Sequence, residues 1–338
     1  MIETEDVRTF TPDDPDDPGE PPFELFERLK KDIREAALTL TVEEARYLVD
    51  AYYQRQEARK RGENQCRAQD REPNRVLTWL ADNDRRVETA IKGILGAHAE
   101  RFPVGRWALA QYGIGPIISA GLLAHINIEK APHVGHLWSF AGLAAGQDKK
   151  WTKGTKRPWN ARLKVIMWKC GQSWLKFSGR PQCYYGHLYL ERKTLLWEQN
   201  LAGKFQDAAG EKLERFKIGE TTDARKWYTG CVTADAAHAW LEGGRESENG
   251  RTKIAFRAPG SGTIMLPPAH IDARARRWVV KLFLSHWHEV AFFVHFKKLP
   301  ADPYVLSILG HADRIEYPGV DEVEGLGEAI VAAGRILM

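Results

Sequence analysis

Ten basic residues and no acidic one lie between Lys149 and Arg180, among them Lys149, Lys150, Lys153, Lys156, Arg157, Arg162 and Lys164. Charge of one sign at this density suits a polyanion, because each cation that meets a phosphate releases a condensed counterion. Trp151 and Trp159 interleave with the charges and offer flat faces on which an unpaired base can stack. The competing use is structural, with both indoles anchored in a core and the lysines keeping a loop solvated. Upstream, Gly113-Ile114-Gly115-Pro116 separates two apolar runs. Glycines let a backbone approach a phosphate, and the amides opening the next helix carry partial positive charge. The same four residues also make an ordinary tight turn.

Other chemistry is thinly represented. There is no G-x-x-x-x-G-K-[ST] phosphate loop and no set of acidic residues at predicted strand ends that would hold two magnesium ions. His286, His288 and Glu289 invite a metal, but residues two apart on a helix do not face each other, so a structural role is expected and no metal is assigned. His133, His136 and His311 stand alone. Cys66, Cys170, Cys183 and Cys231 form no C-x-x-C pair, which points to reduced, mostly buried thiols.

Helices must position these residues. Thr41-Val42-Glu43-Glu44 reads as a capping box, followed by Ala45, Leu48, Val49 and Tyr52 at the spacing of one buried face. After Pro73-Asn74, an approximate a/d seam runs through Leu77, Leu80, Asp84, Val87, Ile91, Ile94 and His98. An antiparallel helical hairpin or a dimeric coiled coil satisfies both stripes, and the second option makes a homodimer through 41–101 a possible partner arrangement. Residues 106–126 give helix, turn and helix, Asn160 to Phe177 and Tyr184 to about Leu201 give two more, and Ile271 to Phe296 a long one. Arg274, Arg276, Arg277 and Lys281 near the start of that last helix extend the basic surface. TKIAFR, APGSG and TIML read as a β-hairpin with a glycine-rich turn.

The expected fold is therefore mainly α: an acidic leader and linker over 1–40, a long helical hairpin or coiled coil over 41–101, a helix-hairpin-helix domain over 102–202, an insertion with a β-hairpin over 203–266, and a C-terminal helix and tail over 267–338. An apolar content of 43% supports a packed core. Net charge is +4, but residues 1–24 hold nine acids against one arginine, a net of −8 that leaves +12 for the remainder. Such a leader is expected to be a disordered tail competing with a polyanion for the basic face. No apolar run of membrane-spanning length and no signal peptide is seen, so a cytoplasmic, nucleoid-associated location without membrane contact is expected.

The stretch YGIGPIISAGLLAHINIEKAPHVGHLWSFAGL from Tyr112 to Leu143, with the basic loop and KRPWNARLK after it, resembles the C-terminal domain of the Piv-invertase-related, bridge-RNA-guided insertion-sequence transposases. The resemblance covers roughly residues 75–200. It rests on the G-I-G-P turn, Leu122-Leu123-Ala124, Gly142-Leu143, and Lys156-Arg157-Pro158-Trp159-Asn160 leading to Leu163-Lys164. It implies a mobile-element protein engaged in DNA recombination and contacting DNA or structured RNA through Gly113, Ile114, Gly115, Lys149, Lys150, Trp151, Lys153, Lys156, Arg157, Asn160, Arg162 and Lys164. Two departures limit it. The RuvC-like domain with its four acidic ligands is expected to be absent, since only about 40 residues precede the first long helix. The catalytic serine of the family has no counterpart either, because no serine lies between Ser139 and Ser173, and Thr152 and Thr155 are the only hydroxyls near.

A nucleic-acid-binding relative without strand cleavage is thus the first expectation, with no cofactor. An active transposase using a threonine, with Mg2+ ligands from a partner, is the second. A helical scaffold or assembly protein is the third.

Overall fold

A computed structural model describes residues 31–69, 72–144, 151–242, 254–302 and 314–335. Its first elements are a short helix α1 (Lys31–Ala37) and two long ones, α2 (Val42–Arg67) and α3 (Arg75–Glu100), folded back on each other as a hairpin. The capping box at Thr41 is complete: its hydroxyl accepts from the Glu44 amide at 3.2 Å, and the Glu44 carboxylate accepts from the Thr41 amide at 2.8 Å. Asn74 caps α3 by accepting from the Val76 amide at 2.9 Å.

The buried stripe of α3 shares Asp84, Ile91 and His98 with the sequence seam and departs from it elsewhere. It runs through Ala81, Asp84, Glu88, Ile91, Leu95 and Ala99, whereas Leu80 is 48% exposed and Val87 and Ile94 are only half-buried. The reason is a close approach: a Cβ on Gly62 would lie 3.3 Å from that of Ala81, a spacing that admits alanine and turns Leu80 outward. The hairpin interior is apolar toward the body, at Ala45, Val49, Ile91 and Leu95, and ionic toward its tip. There the Arg59 Nε donates to Glu88 at 2.6 Å, Gln56 donates to the same carboxylate at 3.1 Å, and Arg55 pairs with Asp84 at 3.3 Å. Burial by itself raises the Glu88 carboxyl, but the hydrogen bonds from Arg59 and Gln56 and the Arg59 charge outweigh it, so its pKa lies below normal.

Helices α4 (Pro103–Ala110) and α5 (Pro116–His125) follow, each opened by proline in its first turn. Buried Ser119, Ala120, Gly121 and Ala124 make α5 a slender central rod against which α2, α3 and α7 (Ala161–Phe177) pack. A Cβ on Gly121 would lie 2.7 Å from the Ile166 Cδ1 of α7. A 3-10 turn (Ile128–Lys130), α6 (Val134–Phe140) and α8 (Tyr184–Leu201) complete the layer around α12 (Pro268–Phe296), which touches α4, α6, α7 and α8. Where these meet, Phe283 stacks at 5.8 Å on Trp107 and edge-on at 5.0 and 5.2 Å to Trp174 and Tyr185.

Between α8 and α12 stand α9 (Gln206–Arg215), α10 (Asp223–Tyr228) and α11 (Ala234–Glu242), tied by a triad of Trp197, Trp227 and Trp240. The described residues contain no strand. In place of the expected β-hairpin, residues 254–266 run as an extended loop whose amides at Arg257, Gly260, Gly262, Thr263 and Met265 donate to carbonyls of residues 227–232. Those carbonyls, freed at the end of α10, take the donors that a hairpin partner would have used.

The tail returns to the body through a 3-10 turn (Val320–Glu322) and α13 (Leu326–Ala332). Trp107 and Gln111 donate to the Pro318 carbonyl at 3.0 and 3.2 Å. One apolar core runs from Ala45 through α12 to Ile330, so the sections distinguished along the sequence share it. Cys170, Cys183 and Cys231 are buried and Cys66 is half-buried, all four as free thiols. Among the described residues no helix is long and apolar enough to cross a membrane.

Candidate nucleic-acid interface

The glycine turn sits between α4 and α5 with its two glycines in different states. Gly113 has φ +94, and its carbonyl accepts from the Ser173 hydroxyl of α7 at 2.6 Å. A Cβ there would lie 3.1 Å from both Ser173 Oγ and Trp174 Cδ1. Ile114, at 5% exposure, is a core residue rather than a contact. Gly115 is the N-cap of α5, has ordinary φ −104, and has no atom within 4 Å of a built Cβ. Its carbonyl accepts from the amides of Ile118 and Ser119 at 3.0 Å. The amides of Gly115 and Ile117 have no acceptor among the described residues. The turn thus presents one open glycine on a base fixed to α7.

That base leads directly to the charged loop. Asn160 starts α7 by accepting from the amides of Arg162 and Leu163 at 3.0 Å each, and its own amide donates to the Phe140 carbonyl at 2.8 Å. This makes Asn160 a helix cap and loop anchor. Trp159 lies across Gly142, whose Cβ would come within 2.9 Å of its ring, and Lys164 Nζ stands 4.2 Å from the Trp159 centroid. Trp151, 6.1 Å from Trp159 centre to centre, donates through Nε1 to the Thr155 carbonyl at 3.0 Å and carries Arg157 over its ring at 5.4 Å. Each indole is therefore half-buried and capped by a cation, an arrangement that stiffens the loop while leaving the charges outward. Lys153, Lys156 and Arg157 are exposed. Lys149 and Lys150 lie outside the described residues.

Of the two loop hydroxyls, that of Thr155 is committed locally. Thr155 Oγ1 donates to the Thr152 carbonyl at 2.7 Å, and Thr152 is exposed. Among the described residues no group of three histidine, cysteine or acidic side chains is placed to hold a metal ion. His286, His288 and Glu289 point into three different contacts. His286 donates from Nε2 to the Ile315 carbonyl at 3.1 Å, which leaves Nδ1 to accept from Tyr185 at 2.9 Å. His288 Nε2 donates to the Ala131 carbonyl at 2.7 Å. Glu289 binds Arg314, Arg335 and Tyr317, pinning the tail.

Space changes the electrostatics read along the chain. The acid-free stretch meets an acid from elsewhere: Arg162 pairs with Asp50 of α2 at 3.4 Å. Arg46, one turn earlier on α2, donates twice to the Ala124 carbonyl at the C-terminal end of α5, at 3.0 and 2.7 Å. Beyond the loop the basic surface continues onto α12, where Arg277 donates to the carbonyls of Leu143 and Ala144 at 3.0 and 3.1 Å and Lys281 lies 4.1 Å over Trp138. Burial, and then Arg277, lower the Lys281 pKa.

Two exposed aromatic side chains had no place in the sequence reading. Trp168, 56% exposed on α7, stands beside Lys169, which also lies 5.0 Å over Tyr53. Tyr47 on α2 is 72% exposed. Trp168 was legible as the outward position of an otherwise core-facing helix, one turn after Lys164. Tyr47 carried no such signal. Compared with protein-family profiles, curated proteins and solved structures, the chain matches none.

Proposed function

We propose that this protein binds the backbone of DNA or structured RNA as a transposase-like, non-cleaving module. In this reading the loop Trp151–Asn160 and the outer side of α7 supply charge and aromatic surface, and the open Gly115 turn supplies amides. The observation that carries it is the exposed cationic set Lys153, Lys156 and Arg157 on a loop held in shape by Trp151, Trp159 and the Asn160 cap. Ordering before contact lowers the entropic cost of binding, and contacts to phosphate read position rather than sequence. Nucleoid association follows from such binding.

The test is a titration of duplex DNA and of hairpin RNA against salt. Several phosphate contacts give a steep fall of log K with log salt, roughly −0.9 per duplex phosphate neutralised. The variant K153Q/K156Q/R157Q flattens that slope by about two to three units. A flat slope in the unaltered protein overturns the reading.

A second reading, a helical scaffold, draws on the docking of Gly113 onto Ser173 and Trp174, which uses the turn for packing. Protein free of nucleic acid at low salt that shifts neither DNA nor RNA supports it.

A further inference from the structure

Of the twelve tryptophans only Trp168 is exposed, at 56%. The two loop indoles that interleave with lysines are already engaged. Trp151 donates its Nε1 proton to the Thr155 carbonyl at 3.0 Å under Arg157, and Trp159 lies across Gly142 with Lys164 over its ring. Trp168 instead projects from the middle of α7, one turn after Val165, which is 47% exposed. A single exposed aromatic means little by itself; its setting is what points to a ligand.

Lys169 Nζ stands 5.8 Å from the Trp168 ring centroid and 5.0 Å from that of Tyr53, so one ammonium is held between rings of α7 and α2. Tyr53 is in turn braced edge-on by Tyr52 at 5.4 Å. Arg162, Val165, Trp168, Lys169, Gln172 and Lys176 follow one another at spacings of three and four along the outer side of α7, a strip of roughly 21 Å at the helical rise. The helix carries Arg162, Lys164, Lys169 and Lys176 and no acid. Asp50 meets Arg162 in the first turn, well short of Trp168.

That charge selects the occupant. A stable protein interface buries about 800 Å² on each partner, several times what one indole and one valine offer, and lysine is depleted from such interfaces. An unpaired base needs only a ring face, and its phosphate a cation close by.

We propose that Trp168 is a stacking platform for an unpaired base, with Lys169 beside it for that nucleotide's phosphate and Arg162 and Lys176 for phosphates further along the strand. The partner is a single strand of nucleic acid, since a base paired within a duplex keeps its faces stacked on its neighbours. This deepens the nucleic-acid reading above and rests on it: the loop cations hold the backbone while Trp168 takes a base.

The probe is labelled oligo(dT) of about twelve nucleotides, its binding to the full chain followed by fluorescence anisotropy at fixed salt. A duplex and an abasic strand of the same length run beside it, the latter carrying the charge without the rings. W168L is expected to weaken oligo(dT) about tenfold, the loss of one base–aromatic stack, and to leave the duplex and the abasic strand bound as before. W168F restores most of the loss. The position is exposed, so W168L unfolds at the temperature of the unaltered protein. Oligo(dT) binding that W168L leaves unchanged, or weakens no more than it weakens the duplex, overturns the platform; a steep salt dependence of duplex binding then still supports the broader reading. Absence of binding to all three nucleic acids overturns both. A dimer in sedimentation that W168L converts to a monomer makes a second copy the occupant and overturns the platform as well.

Discussion

Ser173 and Gly113, sixty residues apart, share a 2.6 Å hydrogen bond from hydroxyl to carbonyl that fastens the glycine turn to α7. With φ at +94 and a built Cβ 3.1 Å from Ser173 Oγ and Trp174 Cδ1, Gly113 has neither the conformation nor the space for a side chain. Gly113→Ala is expected to destabilise by about 2–3 kcal/mol, combining left-handed strain with overpacking. Ser173→Ala costs about 1 kcal/mol. Gly115→Ala stays within about 0.5 kcal/mol, since its φ is ordinary and its surroundings open. Urea unfolding of the three variants orders them; equal losses at Gly113 and Gly115 would refute the asymmetry of the turn.

Packing at the centre gives a coupled pair. Gly121→Ala pushes a methyl against Ile166 Cδ1, a distance of 2.7 Å before relaxation, and is expected to cost about 1–3 kcal/mol. Ile166→Val removes that Cδ1 and alone costs about 1 kcal/mol. The double variant should be more stable than the sum of the singles by at least about 0.5 kcal/mol, measurable as a double-mutant cycle. Strict additivity would mean the two residues do not touch as described.

Acid acts on the buried histidines before the carboxylates. Burial lowers His286 to about 3 and His270 to about 4. Both sit below the unfolded value of 6.5, so the unfolded chain binds more protons between these limits and stability falls as pH drops from 6.5 toward 3. Unfolding midpoints in urea should therefore decline already between pH 6.5 and 5. His286→Gln is expected to be less stable at pH 7, having lost contacts to Tyr185 and Ile315, and to show a flatter decline. An unchanged slope in that variant counts against the buried neutral ring.

The hairpin tip responds in a lower window. The Glu88 pKa is held below its usual value, because the Arg59 and Gln56 contacts outweigh burial, so its contribution is present at neutral pH and disappears as pH falls through the folded value. Glu88→Gln should lose stability at pH 7 and lose less than the unaltered protein on further acidification below pH 4.5. Hydrogen exchange on α2 and α3 reads the effect locally, and an identical acid response in both proteins would show that Glu88 is not the titrating group.

Asp50 restrains Arg162 at 3.4 Å. Under the nucleic-acid reading, Asp50→Asn should tighten duplex binding about two- to fivefold at low salt, by freeing one cation, while Arg162→Gln weakens it by a similar factor. Parallel binding isotherms at two salt concentrations check both. The same sign of change in the two variants would place Arg162 off the interface.

The sequence by itself determined the local events. Thr41 and Glu44 announce their capping box, Asn74 and Asn160 their helix starts, and Gly113 the turn, because each depends on residues within four positions of one another. The density of lysine and arginine after residue 148 was equally plain, being composition alone. Only the tertiary structure decided what those residues meet. It turned Leu80 outward because Gly62 draws the helices together at Ala81, and it gave the 254–266 segment carbonyls from α10 in place of a second strand. It set Asp50 of α2 against Arg162 of α7, and Asp272 of α12 against Tyr189 of α8. Partners brought together by packing carry no signature in sequence spacing, since what selects them is the fit of surfaces distant along the chain.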